Sequence, residues 1–269
     1  DFVFILPLQM GVAGAAWATV LSQLVSAAFC TLYAIRKFEA MHLSRQDWSV
    51  ERTMAWDHLK IAFPMGFQMS VMCIGQLAMQ AAVNRIGTDA IAGYTAATKV
   101  DQMSVLINGA FGVAISSYVA QNYGAGLYDR IRRGVSSCMI QIETCNILMG
   151  ILILLCQPFI VPLFVNQPSD GVFLYARDYF LMVVPFYLLL GSLQIYRAAL
   201  QSMGDARTPF LACMIELVLR IICAMGLAAF WGYRGICFSS PLAWIGANFL
   251  LLPVYFTAIK RLCKMEKKI

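Results

Sequence analysis

Long apolar runs alternate with short polar connections along the whole chain, and each run is long enough to cross a bilayer. A transmembrane helix needs about 20 consecutive, mostly apolar residues. Seven runs meet that length, at residues 12–35, 61–83, 91–119, 135–163, 172–199, 209–231 and 236–259. The residues before Pro7 read as the stub of an earlier span. No basic segment precedes that apolar stretch, so it does not resemble a signal peptide, and the chain is expected to be a piece of a longer protein. Pro64, Pro158, Pro162 and Pro185 fall near span ends or at expected kinks. Gly, Ala and Ser inside several runs favour close helix approach. The predicted fold class is all-α, a polytopic transmembrane helix bundle.

Composition agrees with the pattern. Hydrophobic residues make up 60% of the 269 positions and charged residues 13%. Soluble domains carry about 25% charged residues. The net charge of +6 is no nucleic-acid signal, because the basic residues gather at span ends. Counted by loop, 14 basic residues fall on one side of the membrane, from Arg36 and Lys37 to Lys267 and Lys268. The other side holds Arg85, Arg177 and Arg234, with Lys99 near it. The basic side is therefore read as cytoplasmic, and it carries the C-terminus. Nine cysteines lack CxxC spacing and are read as small buried hydrophobes. The two histidines, His42 and His58, have no ligand-spaced partner. No P-loop, Gly-x-Ser-x-Gly or HExxH occurs, so neither an enzyme nor a cofactor is expected.

The longest connection, residues 36–60, holds Trp48, Met54 and Trp56 among charges. It reads as a solvated loop or a short amphipathic segment at the membrane surface, and as a boundary between two bundles. A weak repeat supports the boundary. Gly11-Val-Ala-Gly14 opens the first span and Gly232-Tyr-Arg-Gly235 the last, and both spans run towards the basic side.

Several stretches carry a family resemblance. Pro64-Met-Gly-Phe-Gln68 and Ala82-Val-Asn84 through Lys99-Val-Asp101 resemble helices seven and eight of multidrug and toxic compound extrusion (MATE) transporters. Gln121-Asn122-Tyr-Gly124 resembles the turn after helix eight, and Leu200-Gln201-Ser-Met-Gly204-Asp205 the turn between helices ten and eleven. Met214-Ile-Glu216-Leu-Val-Leu-Arg220 is similar to the helix-eleven pattern, and Met10-Gly11 through Thr19 to the start of helix six.

The resemblance implies a twelve-helix exporter of two six-helix lobes in a bacterial cytoplasmic membrane. Residues 1–35 would end the N-terminal lobe and 36–60 would link the lobes. Residues 61–262 would form the C-terminal lobe, with 263–269 as a basic tail. The implied activity is antiport by alternating access, with cationic amphipathic compounds leaving as Na⁺ or H⁺ enters. The implied partners are small organic cations, membrane lipid and the absent N-terminal lobe, with no nucleic acid. Some relatives hold the coupling ion with acids in helices seven and ten. Met72 and Leu190 occupy those positions, so that ion site does not carry over.

Charged side chains within apolar spans mark functional candidates. Glu216 and Arg220 are spaced i, i+4 with the acid first, the favourable order for a helical ion pair. Two readings stand open: a structural pair, or a Glu216 that takes up a proton or cation under the control of Arg220. Asp101, Ser104, Asn108 and Gly112 share one helical face, which must meet protein or water. Asp101 is a third ion-coupling candidate. Gln68, Gln76, Gln80, Asn108, Glu143 and Tyr187 are substrate-cavity candidates, each with polar packing or an interfacial position as the alternative. Arg197 is expected to snorkel to the cytoplasmic end. Gly204 is expected to end the fifth span, with Asp205 or Thr208 capping the sixth. A lipid-linked oligosaccharide flippase of similar architecture and a seven-helix receptor are the competing classes. A flippase would show more basic residues facing the cavity, and a receptor an extracellular cysteine pair.

Overall fold

A computed structural model of the chain describes residues 10–38, 51–165 and 169–266, together with Phe4. All regular elements among the described residues are helical. They are α1 (Gly11–Lys37), α2 (Arg52–Val83), α3 (Thr88–Gly124), α4 (Tyr128–Ile160), α5 (Asp170–Val183), α6 (Tyr187–Ser202) and α7 (Arg207–Glu266). Short 3₁₀ turns occupy Val161–Leu163 and Val184–Phe186. Trp48 and most of the 36–60 connection lie outside the described residues, as does most of the stub before Pro7. Residues 52–60 are the first turns of α2 rather than a separate surface segment.

The chain forms two compact units, Asp1–Asp57 and His58–Ile269. In the first, α1 buries only Gly14 and Ala18. Its outward side chains, including Leu24, Phe29 and Leu32, are apolar, as in a membrane helix that faces lipid.

In the second unit α3 packs on α4, α5 and α6, while α6 also packs on α4 and α7. Small residues allow this. A side chain on Gly93 would come within 2.8 Å of the Val172 carbonyl oxygen, so α3 and α5 touch almost backbone to backbone. The core between them holds Ala97, Val100, Ile142, Phe180, Val183, Leu193 and Ile195.

Seven predicted spans become six long helical segments. The fifth span is broken into α5 and α6 by the turn at Pro185, whose ring removes a backbone donor. The sixth and seventh spans run on as α7, 60 residues long. A straight helix of that length would reach about 90 Å, three times the bilayer core. Instead α7 folds at Gly232, whose φ of 55° and ψ of −131° are non-helical, into arms 207–231 and 233–266. Gly11, at the matching place in the sequence repeat, has φ 54°. The second glycine of each motif is also crowded. A side chain on Gly14 would meet the Phe4 carbonyl oxygen, and one on Gly235 would meet that of Leu227. The repeat is thus one of backbone geometry, a left-handed glycine followed by a close approach.

The Gly-Asp turn has the predicted caps. Gly204 (φ 89°) follows α6, and Asp205 Oδ1 accepts from the backbone N–H groups of Arg207 and Thr208, both at 3.0 Å.

Candidate functional site

Glu216 is the centre of a three-residue ion cluster. Its Oε1 accepts from Arg220 Nη2 at 2.7 Å within α7, the i, i+4 pair visible in the sequence. Its Oε2 accepts from Arg197 Nη2 of α6 at 3.0 Å. Arg197 therefore does not snorkel. It is 5% exposed, with its head group turned inward to a carboxylate that is equally buried. In a low-dielectric interior an ion pair offsets a cost that leads isolated charges to seek water. Arg220 also needs room. It passes against Gly75 of α2, where an added side chain would sit 3.4 Å from its Cδ. Met72, Gly75 and Cys213 edge a recess of about 10 Å³ beside Glu216 and Arg220. That volume suits about one water molecule. Met72 thus borders the cluster without adding charge to it.

Asp101 of α3 is held differently. Its Oδ1 accepts from the Tyr187 hydroxyl of α6 at 2.6 Å, and its Oδ2 from the Tyr179 hydroxyl of α5 at 3.2 Å. Asp101 is half-buried, and both tyrosines are buried. Tyr94 meets Tyr179 edge to face, with ring centroids 5.6 Å apart, and completes an aromatic wall. Tyr187, a predicted cavity residue, is instead a fully enclosed ligand of this carboxylate. Arg220 makes no hydrogen bond to Asp101 but acts on it through space.

The polar face predicted on α3 points inward. Asn108 donates to Asn146 Oδ1 of α4 at 2.9 Å, and Asn146 returns a bond at 3.2 Å. Asn146 also donates to the Tyr187 carbonyl at 3.1 Å, so Tyr187 links the paired amides to Asp101. Glu143 lies one turn before Asn146, half-buried against Gly191 of α6. A side chain at Gly191 would come within 2.5 Å of the Asn146 amide and 2.9 Å of the Glu143 carboxylate, so one or both would have to shift. The three glutamines do not share a surface. Gln68 is buried and accepts from Gln201 of α6 at 3.0 Å. Gln76 is exposed, and Gln80 donates at 2.9 Å to Asn84 in the turn that follows its own helix.

Two features escaped sequence reasoning. Asp178 and Arg234 form a two-bond pair, each bond 2.9 Å, tying α5 to the second arm of α7 beyond its fold. A cavity of about 470 Å³ lies between α2 and α7, lined by Ala78, Ala82, Ala224, Met225 and Gly232, with Arg85 at its edge. The cysteines are mixed. Cys213 and Cys237 are buried as expected, whereas Cys30 and Cys73 are exposed on apolar helices.

A membrane bundle with acids, amides and guanidiniums enclosed inside one lobe defines a class, the polytopic carriers that hold charge within the bilayer. The MatE family model matches residues 64–225, more than half of the chain, and the chain belongs to that family. It is 26% identical over 248 residues to the probable multidrug resistance protein YpnP of Bacillus subtilis, covering 91% of this chain and 51% of that protein. It is 23% identical over 263 residues to an FAD transporter of Shewanella oneidensis, covering 96% of this chain and 56% of that one. The fold matches an outward-facing MATE transporter of the MOP superfamily with a TM-score of 0.89 at 20% identity, over 98% of this chain and 60% of that structure. The chain thus spans little more than half the length of the proteins it matches.

Proposed function

We propose that this chain is the C-terminal half of a secondary-active antiporter. The complete protein exports cationic, amphipathic compounds by alternating access in exchange for H⁺ or Na⁺, and acts as a transporter rather than an enzyme. The setting is a bacterial cytoplasmic membrane with the C-terminus inside, in keeping with the excess of basic residues on that side. The observation that carries the reading is the polar set of buried Glu216 and half-buried Asp101 and Glu143, with their tyrosine, amide and arginine partners, in a chain of the MatE family. Holding charge in a bilayer is costly, and a carrier has a use for it. Membership of a family whose relatives include probable multidrug resistance proteins supports drugs as cargo.

The test is efflux of a fluorescent lipophilic cation from vesicles containing the protein made from its complete gene. Na⁺ and proton gradients are imposed separately, and FAD serves as the competing anionic cargo. Cation efflux driven by either gradient is expected. Efflux that ignores both gradients, or transport of FAD alone, would overturn the reading.

A further inference from the structure

The two acids of this lobe that Arg220 reaches have unequal freedom to change charge. Each oxygen of Glu216 is taken by a guanidinium. Arginine does not release its proton, so protonating Glu216 would break a charge-assisted bond and leave two enclosed cations with nothing between them. Asp101 is bonded only to phenol hydroxyls, which can donate or accept equally well.

We propose that Asp101, framed by Tyr179 and Tyr187, is the proton-accepting site of this lobe, and that Glu216 is a permanent counterion to Arg197 and Arg220. The proposal names the coupling residue of the antiport reading above and rests on it.

The step needs no heavy atom to move. A proton arriving from water forms an O–H bond on Asp101 Oδ1. The Tyr187 hydroxyl then turns its hydrogen away and accepts from the new carboxyl. Its hydrogen has a destination. The Ser104 hydroxyl, one helical turn from Asp101, is 1% exposed and lies beside Tyr187. Asp101 is half-buried and adjoins the exposed Gln102. No metal cation fits between Tyr187 and Asp101, whose oxygens are 2.6 Å apart.

Charge arithmetic links the site to cargo. Asp101 and Glu216 against Arg197 and Arg220 sum to zero when both acids are ionised. A proton on Asp101 leaves the set at +1, which disfavours a cation nearby. The titratable or charged groups facing Asp101 are Tyr94 on its own helix, Tyr179 on α5, Tyr187 on α6 and Arg220 on α7. On α4, Glu143 stands beside Gly191, one turn beyond Tyr187.

The test is infrared difference spectroscopy of the complete protein in lipid across a pH series, reading the C=O band of a protonated carboxyl in apolar surroundings. No cargo is needed, so the result is independent of the transport reading. Wild type should show a band that titrates. Asp101→Asn should lose it, Asp101→Glu should restore one, and Glu216→Gln should keep it. Tyr187→Phe should keep the band and displace its midpoint, a change that loss of packing alone would not produce. A band that survives in Asp101→Asn, one lost in Glu216→Gln, or one removed by Na⁺ at constant pH would each overturn the proposal. A band that behaves as expected in a protein that moves no organic cation would uphold the proton site and sink the antiport reading.

Discussion

Glu216 and Asp101 belong to the same lobe and are neutralised by opposite means. Two arginines grip Glu216, one from its own helix and one from α6. Two tyrosines from α5 and α6 hold Asp101 by neutral hydrogen bonds. The difference separates two uses of buried charge. A carboxylate between guanidiniums is locked, because every alternative leaves an uncompensated cation. A carboxylate between hydroxyls can change state, because its partners can reverse their bonds.

The comparison breaks most sharply at the clamp. Glu216→Gln leaves Arg197 and Arg220 enclosed without a counter-charge and should cost about 3–5 kcal/mol. Thermal melting in detergent micelles should show a clear fall, and replacing both arginines by Met in the same protein should restore much of it. A variant that melts with wild type would mean the clamp is not what holds Glu216. Tyr187→Phe removes one hydrogen bond to a carboxylate and should cost about 1.5–3 kcal/mol. Tyr179→Phe should cost less, because its bond to Asp101 is longer, 3.2 Å against 2.6 Å. The reverse order in a melting series would show that Tyr179 is the principal partner. Gly232→Ala forces a side chain into a left-handed conformation, with an expected loss of about 1–2 kcal/mol at the fold of α7. Asp205→Ala removes a helix cap and should cost about 1 kcal/mol. Arg132→Ala is the baseline: its side chain is 60% exposed in its pair with Asp129, and its melting temperature should not change measurably.

Local pattern explains which features were legible in sequence. Span length and hydropathy are properties of consecutive residues, so the long apolar helices are legible in sequence, although α2 begins at Arg52 rather than at residue 61 and the last two spans run on as one element folded at Gly232. The Glu216–Arg220 pair and the Asp205 cap were visible for the same reason, since their partners lie three or four residues away. What failed depended on packing between helices. Arg197 lies 19 residues before Glu216 and was read from its distance to a span end, although α6 against α7 turns it inward. Tyr179 and Tyr187 are 78 and 86 residues from Asp101, and no periodicity within one helix could join them to it. Gln68 meets Gln201 of α6 while Gln76, about 80° further round α2, faces out, and which of those directions meets α6 is set by packing between helices.

The central claim is that Asp101 changes charge with cargo and Glu216 does not. It is tested most directly by proton release on binding of tetraphenylphosphonium to the complete purified protein in weakly buffered solution. Wild type and Glu216→Gln should both release protons as the cation binds, and Asp101→Asn, whose neutral amide holds the set at +1, should bind the cation more weakly and, at matched occupancy, release none. Proton release by Asp101→Asn equal to that of wild type would contradict the account.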